Sequence, residues 1–275
     1  MREITGTTRI FGVLADPIHH VKAPQLINAL FAAHDFDGVL VPIHVSPEDL
    51  GTVLTGLRRQ QNFEGFIATI PHKMAMVAHC DELTDAARAV GAVNIVRRLP
   101  DGRLRGGMLD GDGFVAGLRS RGIEPAGMSA WLAGAGGAAN AIAWALAEAG
   151  VSRLTVYNRT ADKAQALIER TARARPGLPM ALGSPDPSGH DLIVNATSLG
   201  MHPEDPLPVD ASRLQPGQTV AEIIMQPAET PLLAAAAAKG CRAHPGLPML
   251  ACQIALMASF MGAPIDPAGS APTPA

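Results

Sequence analysis

Between residues 130 and 160 the sequence reads AWLAGAGGAANAIAWALAEAGVSRLTVYNRT. A short apolar run passes straight into Gly134-Ala135-Gly136-Gly137-Ala138-Ala139. An alanine-rich helical stretch follows to about Ala149, then Gly150 as its stop and a second strand-like run, Leu154–Tyr157. The pattern G-x-G-x-x-A between a strand and a helix suits the binding of a pyrophosphate. Gly134 permits the tight turn, and Gly136 lets the backbone approach the anion. Ala139 keeps the helix close to the strand, and the amides at the helix start face the phosphates. These residues predict a dinucleotide site. The end of the second strand selects the dinucleotide, because a carboxylate there would bind the ribose hydroxyls of NAD. Instead the chain offers Asn158-Arg159-Thr160, with Lys163 on the next turn, and a guanidinium can clasp a 2′-phosphate. NADP is the expected cofactor, with NAD as the alternative.

These residues need a frame, and the 275-residue chain supplies alternating strand-like and helix-like segments from near its start. Arg9–Leu14 is strand-like. Pro24–His34 has helical apolar spacing, Val39–Val45 is strand-like again, and Gly65–Ile70 is a third strand that stops at Pro71. Pro47–Gln60 is predicted to be a helix, with Ser46 as its N-cap, Pro47 in its first turn and Glu48 and Asp49 at its positive end. Such alternation predicts a mainly parallel sheet covered by helices. The PDGRLRGG stretch near Leu99–Gly107 predicts a hairpin and a boundary, and a second alternating unit begins at Ala130–Ala133. Residues 183–190 and 202–208 are loops by composition. The final DPAGSAPTPA, 266–275, is predicted to be a disordered tail.

The length fits one large domain or two smaller ones. A formal charge of −3 leaves no basic field to attract nucleic acid or an anionic membrane. The three cysteines, Cys80, Cys241 and Cys252, have no paired spacing, which argues against a disulfide framework or a thiolate metal site. The nine histidines show no helical pairing for a metal. No charged-then-apolar leader opens the chain, and no apolar run reaches the roughly 18 residues of a spanning helix. The expectation is a soluble cytoplasmic protein without a metal, a nucleic-acid partner or a membrane partner.

Eight short blocks in order resemble the shikimate dehydrogenase family: TIPHK (Thr69–Lys73), ELTDAARAVGAVN (Glu82–Asn94), LDGDGF (Leu109–Phe114), GAGGAA, NRT, NATSLGM (Asn195–Met201), TPLL (Thr230–Leu233) and GLPMLACQ (Gly246–Gln253). The resemblance implies an α/β protein of two domains with an active-site cleft between them. A substrate-binding and catalytic domain would span 1–106, completed by a C-terminal helix at 247–262. A Rossmann-type NADP domain would span 107–243. Members of the family interconvert shikimate and 3-dehydroshikimate with NADP(H). Moving a hydride off a carbinol carbon also requires the hydroxyl proton to leave, to a group within hydrogen-bond reach. Lys73 follows an apolar strand and Pro71, and with Asp110 it matches the family's Lys–Asp pair. The carboxylate would hold the ammonium while burial lowers the cost of releasing its proton. By the same resemblance Thr69, Asn94 and Gln253 hold the ring hydroxyls of the substrate. Gly246, Met249 and the Thr197–Met201 loop line the nicotinamide.

The departures from the family pattern fall on one side of the expected site. Where the family has P-x-x-H-S-x-S-P, this chain reads Pro17-Ile18-His19-His20-Val21-Lys22-Ala23-Pro24, so Val21 and Ala23 replace the two serines that hold the shikimate carboxylate. Met225 stands where the family has a tyrosine that also reaches the carboxylate, Ile67 replaces an asparagine, and Met108-Leu109-Asp110 replaces N-T-D. The expected substrate is therefore a small cyclic hydroxy compound less acidic than shikimate, or one that holds its acid group differently. The alternatives are shikimate dehydrogenase proper, with Lys22 or His20 as a new carboxylate partner, and a non-enzymatic dinucleotide sensor. Retention of Lys73 and Asp110 counts against the sensor. Monomer and homodimer both remain open.

Overall fold

Phe11, Val13, Leu14 and Ala15 have no measurable exposure, the mark of a strand covered on both faces. In the computed structural model, which describes residues 3–19 and 21–267, they form β1 (Arg9–Ala15). His20 and residues 268–275 of the expected tail lie outside the described residues. The chain divides into two units, Met1–Leu109 with Cys252–Ala275, and Asp110–Ala251.

In the first unit β1 is followed by α1 (Ala23–Ala33), β2 (Gly38–His44), α2 (Leu50–Arg59), β3 (Phe63–Ala68), α3 (Met76–His79), β4 (Glu82–Leu83), α4 (Asp85–Val90), β5 (Ile95–Arg98) and β6 (Leu104–Gly107). The strand order is β2-β1-β3-β5-β6-β4. β1 lies parallel to β2 and β3, but β5 runs antiparallel to both β3 and β6. The sheet is thus mixed rather than mainly parallel. The predicted hairpin is the cause on one side: the Leu99 amide bonds the Arg103 carbonyl at 2.8 Å and reverses the chain.

The second helix also departs from its predicted start. α2 begins at Leu50 with Asp49 as its N-cap, and residues 47–49 form a turn. Ser46 Oγ accepts the Asp49 amide at 3.3 Å, so the serine closes this turn instead of capping the helix.

The second unit contains α5 (Asp110–Ser120), β7 (Ser129–Ala133), α6 (Gly137–Glu148), β8 (Arg153–Tyr157), α7 (Ala161–Ala174), β9 (Met180–Leu182), β10 (Leu192–Asn195), β11 (Thr219–Glu222), α8 (Pro231–Ala238) and β12 (Arg242–His244). All its strands are parallel, in the order β12-β11-β10-β7-β8-β9. Numbered from β7, that is the doubly wound order 3-2-1-4-5-6, whose switch point lies between β7 and β10. Leu132, Leu154, Val156, Leu192 and Val194 of the sheet pack with Ile142 and Leu146 of α6. The last helix, α9 (Leu247–Phe260), contains the division between the units. In the first unit Phe260 lies over β6, where a Cβ on Gly107 would come within 2.8 Å of its ring. No helix among the described residues is long and apolar enough to cross a membrane.

His244, on edge strand β12, is 1% exposed, and its Nε2 has no hydrogen-bond partner among the described residues. Burial, and then the guanidinium groups of Arg121 and Arg242, hold its imidazole down at about 4. An unfolded chain binds more protons than the native one between that value and about 6.5. The contribution of His244 to native stability is therefore complete above pH ~6.5 and is lost as pH falls toward 4, by on the order of 3 kcal/mol. His244→Leu is expected to flatten this decline without loss at pH 7.5, because it also removes an unpaired buried nitrogen. Urea midpoints at pH 7.5 and 4.5 check it, and an equally steep loss in the variant would assign the effect to other groups.

Candidate active site

The turn after β7 requires glycine at its first position. Gly134 has φ +113°, and a Cβ there would lie 2.9 Å from the Ala196 carbonyl oxygen. Its amide donates to the Tyr157 carbonyl at 2.8 Å, tying the turn to the end of β8. Gly136 is the N-cap of α6 with no side-chain capping bond, and neither Gly136 nor Gly137 would meet an atom within 4 Å of an added Cβ. Ala135 and Ala138 are half-buried, Ala139 is fully buried, and the first turn of α6 carries no acidic side chain. Open space above unpaired amides at a positive helix end suits a diphosphate.

Asn140 reinforces the turn, a role the sequence pattern does not announce. Its Nδ2 donates to the carbonyls of Gly136 (2.8 Å) and Ala135 (3.2 Å), and Arg170 on α7 donates to its Oδ1 at 2.9 Å.

At the end of β8, Asn158 Nδ2 donates to the Thr160 carbonyl at 2.9 Å, shaping the bend into α7. Arg159, Thr160 and Lys163 are exposed. Neither the Arg159 guanidinium nor the Lys163 ammonium has a hydrogen bond or ion pair among the described residues. The two cations thus stand after β8, the strand whose end faces the adenosine ribose in dinucleotide-binding sheets of this order, and their charge would suit a 2′-phosphate.

Across the switch point, Thr197 Oγ1 donates to Asn195 Oδ1 at 2.7 Å and accepts the Leu199 amide at 3.1 Å. Thr197 is half-buried, and Met201 is 52% exposed. Gly246 is buried where a Cβ would meet the Ile224 carbonyl oxygen at 2.5 Å, so its close approach is to the chain after β11. Met249 is 6% exposed and joins the core of the second unit. Packing therefore accounts for both residue types without any ligand.

In the first unit, the loops leaving β1 and β3 lie side by side. The Thr69 amide donates to the Leu14 carbonyl and the Asp16 amide to the Ile70 carbonyl, each at 3.1 Å. Half-buried Val21 and Ala23, the latter the first residue of α1, follow on the chain leaving β1, and half-buried Thr69 and Lys73 on the chain leaving β3. Lys22 is exposed. Such carboxyl-end edges of parallel strands are where α/β proteins bind ligands.

His72 anchors the β3 loop, a role not seen in the sequence: it is 1% exposed and donates from Nε2 to the Val45 carbonyl at 2.9 Å. The Lys73 carbonyl accepts the Val93 amide at 2.8 Å. Asn94, also 1% exposed, accepts the Leu109 amide on its Oδ1 at 2.9 Å, which fixes the backbone immediately before Asp110. Asp110 itself is buried at the start of α5, and Gln253 is buried on α9. Ile67 is buried within β3, opposite Ile95, so it belongs to the sheet interior. Met225, 38% exposed, lies in the connection between β11 and α8.

The doubly wound parallel unit with its glycine turn and basic strand end defines a dinucleotide-binding α/β protein, here joined to a second, mixed-sheet unit. The model of the shikimate dehydrogenase substrate binding domain matches residues 13–96, and that of shikimate / quinate 5-dehydrogenase matches residues 121–180. Shikimate dehydrogenase (NADP(+)) from Acidiphilium cryptum is 41% identical over 247 residues, covering 90% of this chain and 88% of that one. Among solved structures, ligand-free 5-ketofructose reductase of Gluconobacter sp. strain CHM43 is 31% identical with a TM-score of 0.87, over 96% of each chain. Shikimate 5-dehydrogenase from Thermus thermophilus, in complex with NADP(H) and shikimate, is 34% identical with a TM-score of 0.84, over 96% of this chain and 97% of that one. The chain belongs to the shikimate dehydrogenase family.

Proposed function

We propose that this protein is an NADP-dependent oxidoreductase that moves a hydride between the nicotinamide and a hydroxyl-bearing or carbonyl carbon of a cyclic, polyhydroxylated substrate without a carboxylate. The observation that carries the substrate class is the apolar pair Val21 and Ala23 on the half-buried chain leaving β1, the parallel neighbour of the strand that Thr69 and Lys73 follow. A carboxylate facing them would lose its water and gain no donor, which is costly. The likeness to a 5-ketofructose reductase supports this reading, since 5-ketofructose carries hydroxyls and carbonyls but no acid group. The NADP reading rests on the open amides at the start of α6 and on Arg159 and Lys163, and the curated relative is NADP-dependent by name.

Bound at this turn, NADP(H) supplies or accepts the hydride. Lys73, as its neutral amine, takes the proton from the substrate hydroxyl in oxidation and becomes the ammonium, which returns the proton to the forming alkoxide in reduction. Asp110 holds the Lys73 ammonium in place. Thr69, Asn94 and Gln253 orient the ring hydroxyls, with Asn94 also holding the backbone at Leu109.

A second reading is shikimate dehydrogenase proper, favoured by the names of the Acidiphilium relative and the Thermus complex. It requires a replacement partner for the carboxylate, and Lys22, exposed beside Val21 and Ala23, is the cation within this segment of the described residues. Steady-state rates with NADP⁺ and NADPH on shikimate, quinate, neutral cyclic polyols and 5-ketofructose separate the readings. Turnover of a neutral substrate with shikimate at least a hundredfold poorer in kcat/KM is expected, a margin of about 2.7 kcal/mol. Efficient shikimate turnover would transfer the assignment to the second reading. Cofactor binding with no turnover on any substrate would favour a sensor.

A further inference from the structure

Glu222 ends β11 with no measurable exposure, and among the described residues it has no cationic partner. Its two oxygens are taken by neutral donors: Asn195 Nδ2 at 2.7 Å on Oε1 and the Thr230 hydroxyl at 2.5 Å on Oε2. Burial pushes this carboxyl above the ordinary range. A carboxylate kept in such a place is costly, and a leucine would pack there more cheaply. Asn195 and Glu222 are register partners on neighbouring parallel strands, so the first bond follows from the pairing of β10 with β11. The second reaches the residue that caps α8, where Thr230 Oγ1 accepts the Leu233 amide at 3.2 Å.

The network has a direction. Asn195 spends its whole carboxamide: Oδ1 accepts the Thr197 amide and hydroxyl, while Nδ2 donates to the Leu199 carbonyl and to Glu222. Turned over, the carboxamide would aim its donors at Thr197 and its acceptor at the Glu222 carboxylate. Glu222 thus adds a third partner, beside the Thr197 amide and the Leu199 carbonyl, to the one orientation in which Asn195 grips residues 197–199. That loop begins at Ala196, whose carbonyl approaches Gly134 so closely that only glycine fits. It thus stands beside the glycine turn, on the opposite side of the switch point from Arg159. In a doubly wound sheet the dinucleotide lies across that point, with the adenosine read at the end of β8 and the other half over β10 and β11.

We propose that Glu222, acting through Asn195, is a positioning residue that sets the Thr197–Met201 loop against the nicotinamide half of the cofactor. This rests on the dinucleotide reading of the glycine turn.

The test compares NADPH, which spans both halves, with 2′,5′-ADP, which offers only the adenosine half. Fluorescence titrations of NADPH and displacement by 2′,5′-ADP are run on wild type, Glu222→Met and Glu222→Gln. Glu222→Met is expected to weaken NADPH about tenfold while leaving 2′,5′-ADP within about twofold. Glu222→Gln keeps an acceptor for Asn195 and is expected to restore most of the NADPH affinity. Should the methionine variant not fold, Thr230→Val, which leaves the carboxylate with Asn195 alone, is expected to show the same split at smaller size. Equal NADPH affinity in the variant and wild type, or equal weakening of both ligands, would overturn the proposal and leave Glu222 a packing residue. Wild-type protein that bound neither ligand would remove the cofactor reading itself, and the proposal with it.

Discussion

Lys73→Ala is expected to lower kcat by about 10²–10⁴-fold, the range associated with removing a positioned proton-transfer group. NADPH affinity is expected to stay within about twofold, because the glycine turn and Arg159 belong to the other unit. The physical case is local. Lys73 follows β3 on a loop pinned by the buried His72 and by the Val93 amide, so its backbone is held while its half-buried side chain follows the carboxyl end of β3. The measurement is kcat on whichever substrate the rate panel identifies, beside a fluorescence titration of NADPH. A variant that keeps full turnover would remove Lys73 from the chemistry. A variant that keeps a ligand response in a protein without turnover would favour a sensor.

The second large effect concerns substrate choice. In the double variant Val21→Ser, Ala23→Ser, two hydroxyls enter the segment between β1 and α1. Each hydrogen bond to a carboxylate contributes about 1.5–3 kcal/mol, so two contribute roughly 3–6 kcal/mol if they add. That corresponds to about 10²–10⁴ in kcat/KM for shikimate. The rate on the neutral substrate is expected to stay level or fall, since hydroxyls left without a partner cost desolvation. The exchange is mild for the fold: both positions are half-buried, and α1 starts without a side-chain cap, where serine is well tolerated. Unchanged shikimate kcat/KM in a folded variant would show that something other than Val21 and Ala23 governs the acid group. Met225, 38% exposed after β11, would be the next position to change.

The two units differed in how far their sequence disclosed them. In the second, the strand, glycine turn, helix and second strand appear within a residue or so of their predicted limits. Each signal is contained in the segment itself: an apolar run, a positive-φ glycine, unbranched helix formers, then another apolar run. In the first unit the alternation was legible but the strand directions were not. β5 and β6 are strands of four residues, and nothing within Ile95–Arg98 states that it will lie antiparallel to β3. At α2, Ser46 and Pro47 have the composition of a helix start, yet the same hydroxyl can close a turn three residues earlier. Local chemistry allowed both outcomes.

The sequence by itself determined that a dinucleotide turn begins at Gly134, that the following strand ends in cations rather than a carboxylate, and that Val21 and Ala23 bring no hydroxyl to their segment. These follow from residue type and short spacing, because backbone conformation, charge and hydrogen-bonding capacity belong to each residue wherever the chain places it. Tertiary structure alone decided which side chains hold these parts in position. Asn195 meets Glu222 across 27 residues and His72 meets Val45 across 27, while Asn94 reaches Leu109 across 15. It also decided that Ile67 and Met249 are buried, Met249 in the core of the second unit. Buried polar groups must find partners wherever the packed chain brings them, and that pairing is settled by strand register and close packing, which no local pattern encodes.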